Sequence, residues 1–258
     1  MSEPFLSVVI PVYEGERVIR TTIDAVQTHA GRRGWPIEIV VGFSRSRDRT
    51  AKILEQAAAD YENIRVVETS EHHGKGGAVK GAMAHTRGAV RCFIDADNAA
   101  SFDQIDAGLH LLDEYDIAIG SRYVPRGSAG KRTLARTILS RGGNLLIRLV
   151  LGLRFTDTRA PLKIYRGAVA DRLFPALHLS GFGFDSELLF IAKKLGYRVV
   201  EFPVRWESGE ETTVRVRRDA VRSIAELFKV RWLWLRGSYV RALGSEPEPR
   251  AASGRPAA

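Results

Sequence analysis

The sequence predicts an α/β fold, a mostly parallel sheet with helices on both faces, and three observations carry that prediction. Short apolar runs rich in Val and Ile alternate with segments whose apolar residues recur at helical spacing. The runs are apolar at consecutive positions rather than at every second one, as in strands covered on both faces. Each run also stops at a cluster of Gly, Ser, Asp or Arg, the composition that closes a strand and opens a loop.

Leu6 to Val12 is the first such run, and Tyr13-Glu-Gly-Glu-Arg17 follows it. Val18, Ile19, Thr22, Ile23 and Val26 then repeat at helical spacing and complete a strand–loop–helix unit. A second strand, Ile37 to Phe43, leads into Ser44-Arg-Ser-Arg-Asp-Arg-Thr50, where Ser46 or Asp48 can cap the next helix through its orphan amides. Ile53, Leu54 and Ala57 form the inner face of that helix. A third strand, Ile64 to Glu68, precedes Glu71-His-His-Gly-Lys-Gly-Gly77, after which a helix spans Ala78 to Thr86. The fourth strand is Ala89 to Ile94, followed by a helix from Asp103 to Tyr115 and a strand from Ile117 to Ser121. Beyond Arg122 the pattern loosens, and Tyr123 to Lys131 reads as a mobile loop. A helix from Thr133 to Leu151, a short strand from Leu162 to Tyr165 and a helix from Ser186 to Leu195, stopped by Gly196, come next. Tyr197 to Trp206 is a further strand. Asp219 to Arg236 is expected to form a C-terminal amphipathic helix, with Val221, Ile224, Leu227, Phe228, Trp232 and Trp234 set among Arg and Lys. The expectation is one domain over residues 1–244 and a disordered tail over 245–258, where Pro, Glu, Ala and Gly take over.

A chain of 258 residues suits one large sheet-based domain, and 45% hydrophobic with 27% charged residues is ordinary globular composition. The net charge of +9 favours anionic partners: nucleic acid, an anionic membrane surface or phosphorylated small molecules. The basic residues are spread along the chain rather than blocked into a tail, which argues against nucleic acid. The single cysteine, Cys92, excludes an internal disulfide and fits a cytosolic protein. The N-terminal MSEPFLSVVIPVYEGE has no basic segment followed by an apolar core, so no signal peptide is expected. No apolar run approaches the ~18–20 residues of a membrane span. The expected location is cytoplasmic, with peripheral contact at the inner face of the membrane as the only membrane association.

Two carboxylates one residue apart, Asp95 and Asp97, end the fourth strand. Ligands of open α/β sheets bind outside the carboxyl ends of the strands. A strand period of two would send both carboxylates the same way, where two hard oxygen ligands could hold a divalent cation against a diphosphate. In His73-Gly-Lys-Gly-Gly77 the glycines let backbone amides approach an anion and Lys75 adds charge. The spacing is not that of a nucleotide-binding P-loop, so ATP is not implied. Arg136 and Ser140, four apart, fall on one helix face.

Order and motifs together resemble family 2 glycosyltransferases of the GT-A (Rossmann-like) fold, and within them the branch of polyprenyl-phosphate (dolichyl-phosphate) glucosyl- and mannosyltransferases. The pieces are SVVIPVYEGE (7–16), SRDRT (46–50), HGKGGAVKGAM (73–83), FIDADNAA (93–100), GSRY (120–123), DTRAPLKIYR (157–166), GFGFDSELL (181–189) and VEFPVRW (200–206). The resemblance implies a nucleotide-sugar half over about residues 1–122 and an acceptor half over about 123–236. It places Pro11, Val12, Tyr13 and Glu14 around the nucleoside of a nucleoside-diphosphate sugar. Asp97 would hold Mg²⁺ or Mn²⁺ on the diphosphate, Asp95 would lie nearer the ribose or the metal, and Asn98 would extend that shell. Arg122, Arg136 and Ser140 would receive an acceptor phosphate, and Lys163 would line the sugar or acceptor wall. Asp185 would be a general base, a supporting neighbour of the site or the N-cap of the following helix. A phosphate acceptor is already an oxyanion near neutral pH, whereas a hydroxyl acceptor needs a base.

Two departures from the family pattern bear on specificity. The family's Asp-Asp-Gly-Ser at the second strand is here Phe43, Ser44, Arg45 and Ser46, leaving Ser44 to hydrogen-bond a base. Ala160, Pro161 and Leu162 replace Cys, Gly and Phe ahead of Lys163. The expected function is a metal-dependent, inverting transfer of a hexose to a polyprenyl phosphate, a lipid-phosphate acceptor. The alternatives are transfer to a soluble hydroxyl acceptor with Asp185 as base, and a degenerate nucleotide-binding domain without catalysis.

Overall fold

Apolar residues at every position of Leu6–Val12 except Ser7 require cover on both sides, and this segment (β1) is fully buried at the middle of a seven-stranded sheet in the computed structural model. The structure describes residues 3–69, 74–97, 101–128, 134–206 and 216–243, and the side chains of these except 134–141, 216–223 and 240–242. The other strands are Ile37–Ser44 (β2), Ile64–Thr69 (β3), Val90–Ile94 (β4), Ile117–Ser121 (β5), Leu162–Arg166 (β6) and Val199–Pro203 (β7). Their order is β3-β2-β1-β4-β6-β5-β7. All neighbours pair in parallel except β6, which runs antiparallel to both β4 and β5. The predicted, mostly parallel α/β sheet is thus present.

Alternation along the strands splits the core into two layers. Val8, Ile10 and Val12 of β1, with Ile39, Val41 and Phe43 of β2, meet helices Ile19–Arg33 (α1) and Thr50–Asp60 (α2). The 3-10 turn Phe102–Gln104 and helix Ile105–Leu111 (α3) complete that side. Val9, Val40, Phe93 and Tyr165 face the other layer. There lie Gly74–Met83 (α4), Leu134–Leu151 (α5), Gly167–Leu173 (α6), Phe184–Lys194 (α7), Val216–Leu235 (α8) and Ser238–Leu243 (α9). Cys92 is buried, as a small core residue, and burial pushes its thiol well above the ordinary value.

Several boundaries differ from those read in the sequence. The helix expected from Ala78 begins at Gly74, because Gly74 and Gly76 let the helix press against Ser180–Phe184 at the start of α7. A Cβ on Gly76 would meet Phe184 Cβ at 2.7 Å and the Gly181 carbonyl oxygen at 2.9 Å. The helix expected over Asp103–Tyr115 is a 3-10 turn followed by the shorter α3. Helices α6 and α9, short and without a long periodic pattern, were not anticipated. Residues 123–128 form turns, with Ser128 bridged to Arg205. The tail over 245–258 lies outside the described residues, as does the segment 207–215 between Trp206 and α8.

Candidate active site

The carboxyl ends of β1, β4 and β5 and the amino end of the antiparallel β6 lie at one edge of the sheet. There Lys163 is paired with Phe93, the penultimate residue of β4. Two ammonium groups lie against its ring, Lys75 Nζ at 5.8 Å and Lys163 Nζ at 5.1 Å from the centroid. Each has its own aspartate. Lys75, in the first turn of α4, donates to Asp95 Oδ1 at 2.5 Å. Lys163, in β6, donates to Asp185 Oδ1 at 2.6 Å and to the Ala160 carbonyl at 2.8 Å. Burial works to lower the Lys75 ammonium, but Asp95, Asp185 and Asp97 outweigh it and hold the group above its usual value. Lys163 is fully buried and goes the other way, lowered by desolvation and by neighbouring Lys75 against the pull of Asp185.

β4 stops at Ile94, so Asp95 and Asp97 lie in a turn rather than on a continuing strand, and the period of two does not extend to them. The turn is pinned where the Thr22 hydroxyl donates to the Ala96 carbonyl at 2.6 Å. Asp95 is half-buried beside Lys75 and Asp97 is exposed. Asn98, proposed to share a metal with them, lies outside the described residues. Among the described residues no three His, Cys, Asp or Glu side chains cluster. Asp95 and Asp97 share this turn and are hard oxygen donors of the kind a divalent cation takes, with Asp95 here paired to Lys75.

Asp185 does not cap its helix. Gly183 occupies the N-cap position, and Asp185 sits in the first turn of α7, where a carboxylate is favoured by the helix dipole. The glycines around it have a packing role. Glu226 of α8 accepts a hydrogen bond from the Gly183 amide at 2.9 Å, and a Cβ on Gly181 would lie 2.5 Å from Glu226 Oε1. Glu187, fully buried, accepts from the amides of His178 and Leu179 and from the Tyr239 hydroxyl.

Arg122, just past β5, is clamped rather than free to swing. Its Nε and Nη2 donate to the two Asp157 carboxylate oxygens at 2.8 and 2.9 Å, and its amide donates to the same carboxylate. The rings of Tyr123 and Trp206 lie 5.6 and 5.5 Å from the guanidinium carbon. Burial acts to lower its pKa, but the bonds and charge of Asp157 outweigh it and hold the guanidinium above its ordinary value. Asp157 is held in turn by Glu201 of β7, which accepts from the amides of Thr156 and Asp157 and from the Thr156 hydroxyl. Arg136 and Ser140 both fall within α5, as their spacing predicts, but their side chains lie outside the described residues.

On the donor side Pro11 and Val12 are buried, Tyr13 is 58% exposed, and Glu14 is exposed with φ 50°, in the left-handed region. The loop after β1 is tied to the loop after β2: the Gly15 amide donates to Thr50 Oγ1 at 2.9 Å and the Glu16 amide to Asp48 Oδ2 at 3.2 Å. Arg49, rather than Ser46 or Asp48, occupies the N-cap position of α2, and Asp48 accepts from the Thr50 amide that follows it. Ser44 shares a hydrogen bond with Thr69 at 3.1 Å across the ends of β2 and β3. Ala160 and Pro161 are buried, and the Ala160 carbonyl is spent on Lys163.

Sequence reading missed Phe93, Asp157, Glu201 and Glu226. Phe93 had a signal, because it is two residues before Asp95. Glu201 and Glu226 are acids set in apolar segments, which is itself a sign of buried hydrogen bonding.

The model for "Glycosyl transferase family 2" matches residues 7–174, well over half of the chain. A dolichyl-phosphate beta-glucosyltransferase of Saccharomyces cerevisiae is 30% identical over 258 residues, covering 92% of this chain and 77% of the yeast protein. A protein of the same name from Drosophila melanogaster is 33% identical, covering 78% of this chain and 66% of its own length. Among solved structures, a glucosyl-3-phosphoglycerate synthase from Mycobacterium tuberculosis, in complex with Mn²⁺, UDP-glucose and phosphoglyceric acid, superposes with a TM-score of 0.64. It is 17% identical over 89% of this chain and 80% of that one, a likeness of fold. With the matched segments running through the Asp95–Asp97 turn, Arg122 and Lys163, the chain belongs to glycosyl transferase family 2, as a glycosyltransferase of the GT-A fold.

Proposed function

We propose that this protein is a metal-dependent, inverting glycosyltransferase that moves a hexose from a nucleoside-diphosphate sugar to a polyprenyl phosphate. The observation that carries the acceptor reading is the buried Lys163–Asp185 pair. One oxygen of Asp185 is already engaged by the Lys163 ammonium at 2.6 Å, which commits this carboxylate to holding a side chain. A phosphate acceptor, with a second pKa near ~6, needs no base. In this reading Asp185 positions Lys163, and Lys163 and Lys75 give the reaction centre its cationic floor on Phe93. Names of relatives agree, since they specify glucose and dolichyl phosphate. A solved structure of the same fold contains UDP-glucose and Mn²⁺, which makes that donor and that ion the first to test.

The donor half runs through Arg122 and the acceptor half over residues 123–236. Pro11, Val12, Tyr13, Glu14 and Ser44 would border the nucleoside, with Lys75 and Asp95 at the diphosphate. Asp97, Asp95 and Asn98 would hold Mg²⁺ or Mn²⁺, which supplies positive charge to a leaving diphosphate. Arg122, Arg136 and Ser140 would orient the acceptor phosphate so that one oxygen attacks the anomeric carbon in line with the departing diphosphate. The new carbon–oxygen bond forms as the bond to the diphosphate breaks, and the nucleoside diphosphate leaves with the electron pair. Asp157 and Glu201 would keep Arg122 in place. None of the described helices is long and apolar enough to cross a membrane.

Transfer to a prenyl phosphate and to the corresponding prenyl alcohol, measured with UDP-, GDP- and dTDP-hexoses with and without Mn²⁺, tests the reading. Product on the phosphate alone, and only with metal, is expected. Product on the alcohol alone would instead favour a hydroxyl acceptor with Asp185 as base. No turnover or binding with any sugar nucleotide would leave a degenerate domain.

A further inference from the structure

One turn holds two of the site's cations, and a third cation stands on it. The Ala160 amide donates to the Asp157 carbonyl at 3.3 Å and closes the turn Asp157-Thr-Arg-Ala160. Asp157 binds Arg122, and the Ala160 carbonyl accepts from Lys163. Between them the Arg159 carbonyl accepts from Arg122 Nη2 at 3.2 Å. Glu201 fixes the turn from outside through the amides of Thr156 and Asp157, and Pro161 follows it. The backbone of Arg159 is therefore held in contact with Arg122.

The Arg159 side chain is not held. It is exposed, and its guanidinium makes no hydrogen bond or ion pair with the described residues. Its neighbours are already neutralised, Arg122 by Asp157 and Lys163 by Asp185, so Arg159 is the surplus charge of the turn. A cation set beside two others without an acid of its own lacks an anion. Arg122 alone is a poor cradle for one. Its Nε and Nη2 are engaged by Asp157 and the Arg159 carbonyl, which leaves Nη1 for a ligand. A phosphate monoester presents three terminal oxygens, and an uncommitted guanidinium fork takes two of them at once.

We infer that Arg159 is a further acceptor-binding residue, closing its guanidinium on the acceptor phosphate beside Arg122 Nη1. The inference rests on the proposed transfer to a prenyl phosphate and adds a contact that the sequence motifs did not single out. The turn fixes the root of the side chain, and only the side chain has to move onto the ligand.

Geranyl phosphate, a short prenyl monophosphate, is the probe. Its binding to the full chain is measured by calorimetry for wild type, Arg159→Gln and Arg159→Lys. Arg32→Gln, an exposed position in the last turn of α1, controls for the change in net charge. Arg159→Gln should weaken binding by about tenfold or more, with the melting temperature kept. Arg159→Lys should recover part of the loss, since an ammonium keeps the charge without the fork. Arg32→Gln should bind as wild type does. In turnover, KM for geranyl phosphate should rise in Arg159→Gln while kcat and KM for the sugar nucleotide hold. Wild type without affinity for geranyl phosphate, or Arg159→Gln that binds it as well as wild type, would overturn the inference. So would an equal loss in Arg32→Gln, or a rise confined to KM for the sugar nucleotide. The two ideas fail separately. Turnover on geranyl phosphate that ignores Arg159→Gln removes the residue and keeps the functional reading. Arg159-dependent binding without hexose transfer to any prenyl phosphate does the reverse.

Discussion

Lys163 and Asp185 are each almost fully buried, so each charge depends on the other for solvation. Removing one partner of such a pair leaves an uncompensated charge. Lys163→Met should therefore destabilise the fold by roughly 3 kcal/mol or more in urea unfolding. Asp185→Asn, which keeps an oxygen for Lys163, should have a clearly smaller effect. Asp97 is exposed, so Asp97→Ala should leave the melting temperature within a degree or two while abolishing Mn²⁺-dependent turnover. A variant that unfolds, or one that keeps its turnover, would contradict the metal role. The residues of the site were legible in the chain; their pairing was not. Lys75 with Asp95, Lys163 with Asp185 and Arg122 with Asp157 are separated by 20, 22 and 35 positions, and no local pattern links them.

Among the elements, β1, β2, β4 and β5 follow the sequence because consecutive apolar residues need cover on both faces, whatever lies around them, while β3 is a half-buried edge strand. The strand β6 is where the sequence puts it, but its antiparallel direction is not legible there, since the direction of a five-residue strand is set by the path of the loops that join it. The start of α4 shows the same limit. A glycine run reads as a loop, and only close approach to Phe184 makes it the first turn of a helix. Gly76→Ala should cost about 1–3 kcal/mol by forcing α4 and α7 apart, and should weaken donor binding by displacing Lys75. Glu201 connects β7 to Arg122 through three bonds to Thr156 and Asp157. In Glu201→Ala those buried donors lose their acceptor, and KM for the acceptor should rise far more than KM for the donor.

Over the whole molecule, one buried node joins the last helix to the rest. The Tyr239 hydroxyl donates to Glu187 at 2.6 Å, and burial followed by the Glu187 charge pushes its pKa well above the ordinary 10.0. In the unfolded chain this tyrosine ionises near 10.0; in the folded chain it does not. Its stabilisation is thus full below about pH 10 and lost as pH rises beyond that. Wild-type melting temperature should fall above pH 10, and Tyr239→Phe should flatten the fall; an unchanged profile would remove the node from the balance. Global charge was legible from composition, and it is consistent with a phosphorylated substrate and an anionic surface. The measurement that bears most directly on the proposed reaction is kcat/KM for hexose transfer to a prenyl phosphate by wild type and Asp185→Asn, both shown to be folded. A general base is worth about 10²–10⁴-fold. The expected result is metal-dependent product from both proteins, with the variant within about tenfold of wild type. A loss in Asp185→Asn as complete as that in Asp97→Ala, or no product from wild type with any sugar nucleotide, would contradict it.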